Sequence, residues 1–175
     1  MNDYDDRAEP RYRPSLAPDA SAAPSDAPAA ASTPAGPRVA PASDRVVYPV
    51  LRLANLAELR VNEPVPVCYP DEQSPGLLVK LGAPVENGTG PDRDVVAFST
   101  QCPHRGNKLF YRADDKSLSC PGHYSRYDCE RGGLLVWGHA TQNLPQFKLR
   151  VADDGEIFAE GVDELIYGRT CNVLA

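Results

Sequence analysis

Short apolar runs divided by turn residues dominate this chain from about Val46 onward. Val65–Val67, Gly76–Leu81, Asp94–Ser99, Lys116–Ser119, Gly133–Trp137, Phe147–Val151 and Ile157–Ala159 are three to six residues long and rich in aliphatic or β-branched side chains. Runs of that length and composition predict strands. Asn87-Gly88, Asp114-Asp115 and Asp154-Gly155 lie between them and supply turn chemistry. No stretch keeps a 3.6-residue apolar period for long, although Asn55–Arg60 predicts a short helix. The pattern therefore predicts an all-β domain of small antiparallel sheets over residues 46–175.

Residues 1–45 read differently. They contain eight Pro and twelve Ala with almost no large aliphatics. Such a segment buries too little apolar surface to offset its ordering entropy, so a disordered tail acting as a plain spacer is expected. The 175 residues then leave room for one domain with a real core. A net charge of −6 gives no electrostatic case for nucleic acid. No apolar segment reaches the length that spans a membrane. The N-terminus has neither an apolar leader region nor an Arg-Arg pair, so a cytoplasmic chain, or one exported with a partner, is expected.

Chemistry concentrates in one place. Cys102-Pro-His104 is followed, after fifteen residues, by Cys120-Pro-Gly-His123. Two thiolates and two imidazoles suit either one zinc ion or a [2Fe–2S] cluster. Zinc fingers usually put both cysteines in one knuckle and both histidines in another. Here each loop offers one of each. That is the Rieske arrangement, in which the cysteines take one iron and the histidines the other, and it points to one [2Fe–2S] cluster.

The run Cys120-Pro121-Gly122-His123-Tyr124-Ser125-Arg126-Tyr127-Asp128 resembles the second cluster-binding loop of Rieske proteins. That resemblance implies that Ser125 donates to a bridging sulfide and Tyr127 to a cysteine sulfur. Both bonds would stabilise the reduced state and raise the potential. From about Val46 to the end, the chain is similar to the small Rieske subunit of the arsenite oxidase family. The similarity rests on Tyr69–Pro75, Leu78–Pro84, Gly90–Ala97, His139–Pro145 and the closing Gly161–Arg169 with Asn172-Val173. It implies a large molybdopterin subunit carrying a [3Fe–4S] cluster. It also implies a c-type cytochrome, or a cytochrome-c-peroxidase-like protein, as electron partner, and a periplasmic location.

Three departures qualify the resemblance. Asn107 and Gly122 stand where many Rieske proteins place a loop-bracing disulfide. Ser125 and Tyr127 replace the Thr and Phe common in arsenite oxidases, and no twin-arginine signal is visible. Iodate reductases, which use a similar pair of subunits, fit these features better. A free Rieske ferredoxin and a zinc-stabilised binding module are the alternatives. The segment Pro70–Pro91 and the Tyr167–Arg169 tail look like partner-docking elaborations and weigh against a free ferredoxin. Arg105, beside His104, is a candidate for the partner interface or for tuning the field at the cluster. His139 is expected to be a surface or hydrogen-bonded loop residue, not a third metal ligand, and Cys68, Cys129 and Cys171 free thiols in a packed domain.

Overall fold

The computed structural model describes residues 47–173. The stretch 1–45, with the disorder expected of it, lies outside the described residues. Ten strands form three antiparallel sheets. They are β1 (Leu51–Asn55), β2 (Val65–Cys68), β3 (Pro75–Lys80), β4 (Val95–Ser99), β5 (Phe110–Arg112), β6 (Ser117–Ser119), β7 (Arg126–Asp128), β8 (Leu134–Trp137), β9 (Phe147–Val151) and β10 (Glu156–Val162). The strand orders are β1-β10-β9, β2-β3-β4 and β5-β6-β7-β8.

The continuous apolar runs in β3 and β4 have a specific cause. Successive side chains on a strand point to opposite faces. Leu77, Val79, Val96 and Phe98 enter one core with Leu118, Tyr127 and Leu144. Leu78, Val95 and Ala97 enter a second core with Tyr69, Phe147 and Ile157. The β2-β3-β4 sheet is therefore apolar on both faces, which is why its central strands read as unbroken hydrophobic runs and not as alternation. Cys102 and Cys120 belong to the first core, so the two predicted ligand loops are rooted in it.

Each strand read from the sequence is present. The predicted helix over Asn55–Arg60 is instead a single 3-10 turn, Leu56–Glu58. Asn55 Oδ1 accepts from Ala57 N–H at 3.0 Å, and Glu58 reaches back to Asn55 N–H at 3.2 Å. That capping box starts a helix, but Leu59 turns extended and buries its side chain in the second core, which ends the turn.

Parts of the two segments read as docking elaborations fold inward, while residues 82–91 and Tyr167 stay exposed or half-buried. Pro70–Pro91 is interrupted by β3, which is buried at its centre. Arg169 donates from Nη1 to Asp71 Oδ2 at 2.7 Å and from Nη2 to Asp71 Oδ1 at 2.8 Å. Its Nη1 also donates to Asn172 O at 2.8 Å. Asn172 in turn donates from Nδ2 to Tyr48 Oη at 3.0 Å and to Glu164 O at 2.8 Å. Tyr48 stacks on Tyr69, whose ring is fully buried against Phe147. The C-terminal tail thus latches onto the Tyr69–Ser74 loop and the first residues of the domain. With its side chain only 9% exposed, Arg169 is committed to this latch. The expected free thiols also divide: Cys129 is buried, Cys68 exposed and Cys171 between. Burial pushes the Cys129 thiol up to about 12, as befits an inert core residue.

Candidate metal centre

Two loops, one between β4 and β5 and one between β6 and β7, carry the four predicted ligands, and their backbones fold alike. Cys102 N–H donates to Asn107 O at 2.9 Å, and Gly106 N–H to Cys102 O at 2.7 Å. Cys120 N–H donates to Ser125 O at 2.8 Å, and Tyr124 N–H to Cys120 O at 3.0 Å. In each loop the cysteine is bonded to the residues four and five positions later. The fourth position takes a left-handed conformation in both, Gly106 at φ 68° and Tyr124 at φ 60°. Glycine adopts that conformation freely, whereas for tyrosine it costs about 1–2 kcal/mol.

This shared fold brings the ligands together. The His104 and His123 rings are 4.7 Å apart between centroids and inclined at 77°. Nδ1 of each is buried with no hydrogen-bond partner among the described residues. Buried polar atoms are seldom left so, and an unpartnered pair invites a bound group. The Cys102 and Cys120 thiols, 1% and 2% exposed, are free. Two imidazole nitrogens and two thiols converging from two loops fit a group that takes two ligands of each kind. Burial holds His104 below the usual histidine range, aided by His123, Arg105 and His139, and so favours the neutral imidazole that binds metal. Arg105 itself is exposed beside it.

Ser125 and Tyr127 are buried beneath the loops. Tyr127 Oη lies 3.5 Å from Cys102 Sγ. Its phenol is pushed well above the ordinary tyrosine range by burial, with the Cys102 contact contributing, so it keeps its proton. Ser125 Oγ accepts from His139 N–H at 3.1 Å and Ala140 N–H at 3.2 Å. Those bonds use the oxygen's lone pairs and leave its proton to donate. They also pin a third loop, after β8, against the second ligand loop. Gly138, at φ 107°, lets that loop approach the Ser125 backbone so closely that no Cβ would fit.

Three features escaped the sequence reading. His139 is the exposed, hydrogen-bonded loop residue expected, but its ring also gathers at the site, its centroid 5.9 Å from that of His104 and 6.0 Å from that of His123. The Tyr167 ring covers Gly106, where an added Cβ would stand 2.5 Å from Tyr167 Cε1. The tail thereby braces the first ligand loop. Asn107 fills the space over Gly122, where a Cβ would lie 2.8 Å from Asn107 Nδ2. The two positions expected to lack a disulfide are thus in contact. The tail motif was visible in the sequence, but its seat on Gly106 had no local signal.

A family model for the Rieske [2Fe-2S] domain matches residues 52–148. The chain belongs to the Rieske family. The matched span runs from β1 into β9 and takes in both ligand loops. The family's [2Fe–2S] cluster accordingly suits the paired donors described above. Among curated proteins, iodate reductase subunit IdrB of Denitromonas iodatirespirans is 43% identical over 128 residues, covering 71% of this chain and 69% of that protein. Iodate reductase subunit IdrB of Pseudomonas sp. (strain SCT) is 41% identical over 124 residues, covering 69% of this chain and 64% of that protein. The soluble domain of Rieske protein II (soxF) from Sulfolobus acidocaldarius superposes with a TM-score of 0.63 at 23% identity. That superposition covers 70% of this chain and 82% of that one, a likeness of fold alone. Among the described residues no helix is long and apolar enough to cross a membrane.

Proposed function

We propose that this chain is the electron-transfer subunit of a heterodimeric molybdopterin oxyanion oxidoreductase of the iodate reductase type. In this reading Cys102 and Cys120 hold one iron of the cluster, and His104 and His123 hold the other through Nδ1. The observation that carries it is the pair of buried, unpartnered imidazole nitrogens beside two buried free thiols. One Cys and one His from each loop suits a binuclear cluster with mixed donors better than a zinc module, which usually takes both cysteines from one knuckle.

Bound there, a [2Fe–2S] cluster takes up and releases one electron, at a potential in the Rieske range of roughly −150 to +300 mV. The protein's part is to hold neutral imidazoles in place, keep water from the sulfurs and supply hydroxyl donors from Ser125 and Tyr127. No group of this chain acts on an oxyanion. The reading assigns that step to a large molybdopterin subunit with a [3Fe–4S] cluster. A c-type cytochrome or cytochrome-c-peroxidase-like protein is the other electron partner, and the complex lies in the periplasm. Identity to two iodate reductase subunits supports the iodate branch over arsenite oxidase.

The test pairs the reduced, cluster-loaded full chain with its large subunit. Addition of iodate should reoxidise the cluster, seen as loss of its low-average-g EPR signal. Persistence of the signal with iodate, and appearance of the signal when arsenite is added to the oxidised pair, would move the chain to the arsenite oxidase branch.

A further inference from the structure

The β5-β6-β7-β8 sheet has two faces of opposite character. Register pairs Tyr111 with Leu118, Leu118 with Tyr127, and Tyr127 with Leu135, and this row packs into the first core. The neighbouring row is Phe110, Ser119, Arg126 and Trp137, likewise paired strand to strand. Alternation turns Phe110 and Arg126 outward, the register shift between Arg126 and Tyr127 carries Trp137 to the same side, and Ser119 stays buried beneath them. An outer face left to water is ordinarily polar, yet Phe110 is 48% and Trp137 71% exposed. Val136 and Tyr124 extend the apolar surface, and with Arg112 and Arg126 they line an open groove of about 790 Å3. Cys120, one of the assigned ligands, is part of its lining.

Tyr124 adds an independent signal. It occupies the left-handed position that glycine fills in the other ligand loop, and it is 75% exposed. The fold gains nothing from a strained, solvent-facing aromatic ring there. Strain retained at such a position belongs with function outside the fold.

Charge narrows the occupant. Residues 100–112, 117–127 and 134–147 contain Arg105, Lys108, Arg112 and Arg126 and no Asp or Glu, in a chain whose net charge is −6. Asp114 and Asp115 hold Arg112 from the β5–β6 turn. Arg126 makes one ion-pair contact among the described residues, 3.4 Å to Asp115 Oδ2, which leaves most of its donors outward.

We infer that this groove is the seat of the catalytic subunit, which fills it with an apolar ridge bordered by carboxylates that meet Arg126. Exposed Tyr, Trp and Arg around one concavity is the composition of an interface centre. A broad apolar face suits a lasting partner, whose interface resembles a divided core, better than a transient one. The inference rests on the subunit reading above. It goes further in placing the permanent contact on the Cys120 side of the centre.

The test measures association of the cluster-loaded full chain with its catalytic subunit by analytical ultracentrifugation. Trp137→Glu should weaken association at least a hundredfold. Tyr124→Gly should weaken it at least tenfold while leaving thermal stability equal or higher. Both should keep the EPR spectrum of the unsubstituted chain. Val50→Glu, at another exposed apolar position (58%), should associate normally. If Trp137→Glu disturbs the EPR spectrum, Tyr124→Gly alone decides. Unchanged association of the variants overturns the docking face and leaves the subunit reading standing. Failure of the unsubstituted chain to associate overturns both.

Discussion

Ser125→Ala deletes a single oxygen, and its cost follows from the two bonds that oxygen accepts. The His139 and Ala140 N–H groups both point at Ser125 Oγ, and Ser125 is fully buried. Stranding a buried donor costs about 1–3 kcal/mol, and of the two donors Ala140 N–H is buried while His139 N–H is only partly so, so losing the shared acceptor should cost about 1–3 kcal/mol. That is a large part of a typical domain stability of about 5–15 kcal/mol. For a domain of this size it should lower the melting temperature by several degrees. The same substitution removes a hydroxyl donor from the reduced cluster. If that bond favours the reduced state by about 1–2 kcal/mol, the midpoint potential should fall by about 40–85 mV. Calorimetry and an EPR-monitored redox titration on the same preparation read the two effects. A melting temperature within about 2 °C of the parent would refute the claim that Ser125 pins the third loop. An unchanged potential would refute the direction assigned to its proton.

Tyr127→Phe separates the two effects. Its hydroxyl contacts Cys102 Sγ and no backbone donor depends on it, so the potential should fall by a similar tens of millivolts with little change in melting. Equal loss of stability in redox-silent, cluster-loaded protein would contradict this. Arg169→Ala should destabilise the domain by roughly 2–3 kcal/mol in denaturant titration, because Asp71 keeps its partly buried charge without a partner. Asp71 itself is held below the usual carboxylate range, first by Arg169 and then by Ser74 and Gln73. Its contribution is complete above the unfolded value of 3.8 and is lost as pH falls through the lower folded value. Asp71→Asn should therefore be less stable than the parent at neutral pH, and the difference should close only as pH falls below the ordinary carboxylate range, in a pH series of thermal melts. Asn107→Cys with Gly122→Cys should form a disulfide under oxidising conditions, closing a loop worth up to about 3 kcal/mol in the cluster-free protein. The gain should shrink once the cluster is loaded, since the cluster already ties the same loops; equal gains in both forms would argue that it does not.

The sequence made some of this legible and hid the rest, for physical reasons. β3 and β4 stood out because strands buried on both faces read as unbroken apolar runs. The four ligands stood out because metal chemistry demands Cys and His at short spacings whatever the fold. β5 and β7, Phe-Tyr-Arg and Arg-Tyr-Asp, carry charged residues and no aliphatic side chain, so they do not register as apolar runs. Asn55–Arg60 has a true helix start, but the burial of Leu59 overrides it. His139 comes beside the ligand histidines only because Ser125 collects the loop that carries it. The Asp71–Arg169 latch joins residues 98 positions apart, beyond any local signal. Both of its partners lie in segments that carried the family resemblance, which places the tail in the architecture of the domain.

The central claim is a [2Fe–2S] cluster held by two imidazoles and two thiolates at these four positions. The chain has three histidines, and all three rings gather at the site. Pulsed EPR of the reduced full chain labelled with 15N-histidine tests the assignment directly. Two strongly coupled histidine nitrogens should appear, and both should persist in His139→Ala. One coupling or none, or a coupling that disappears with His139, would contradict the assignment of His104 and His123.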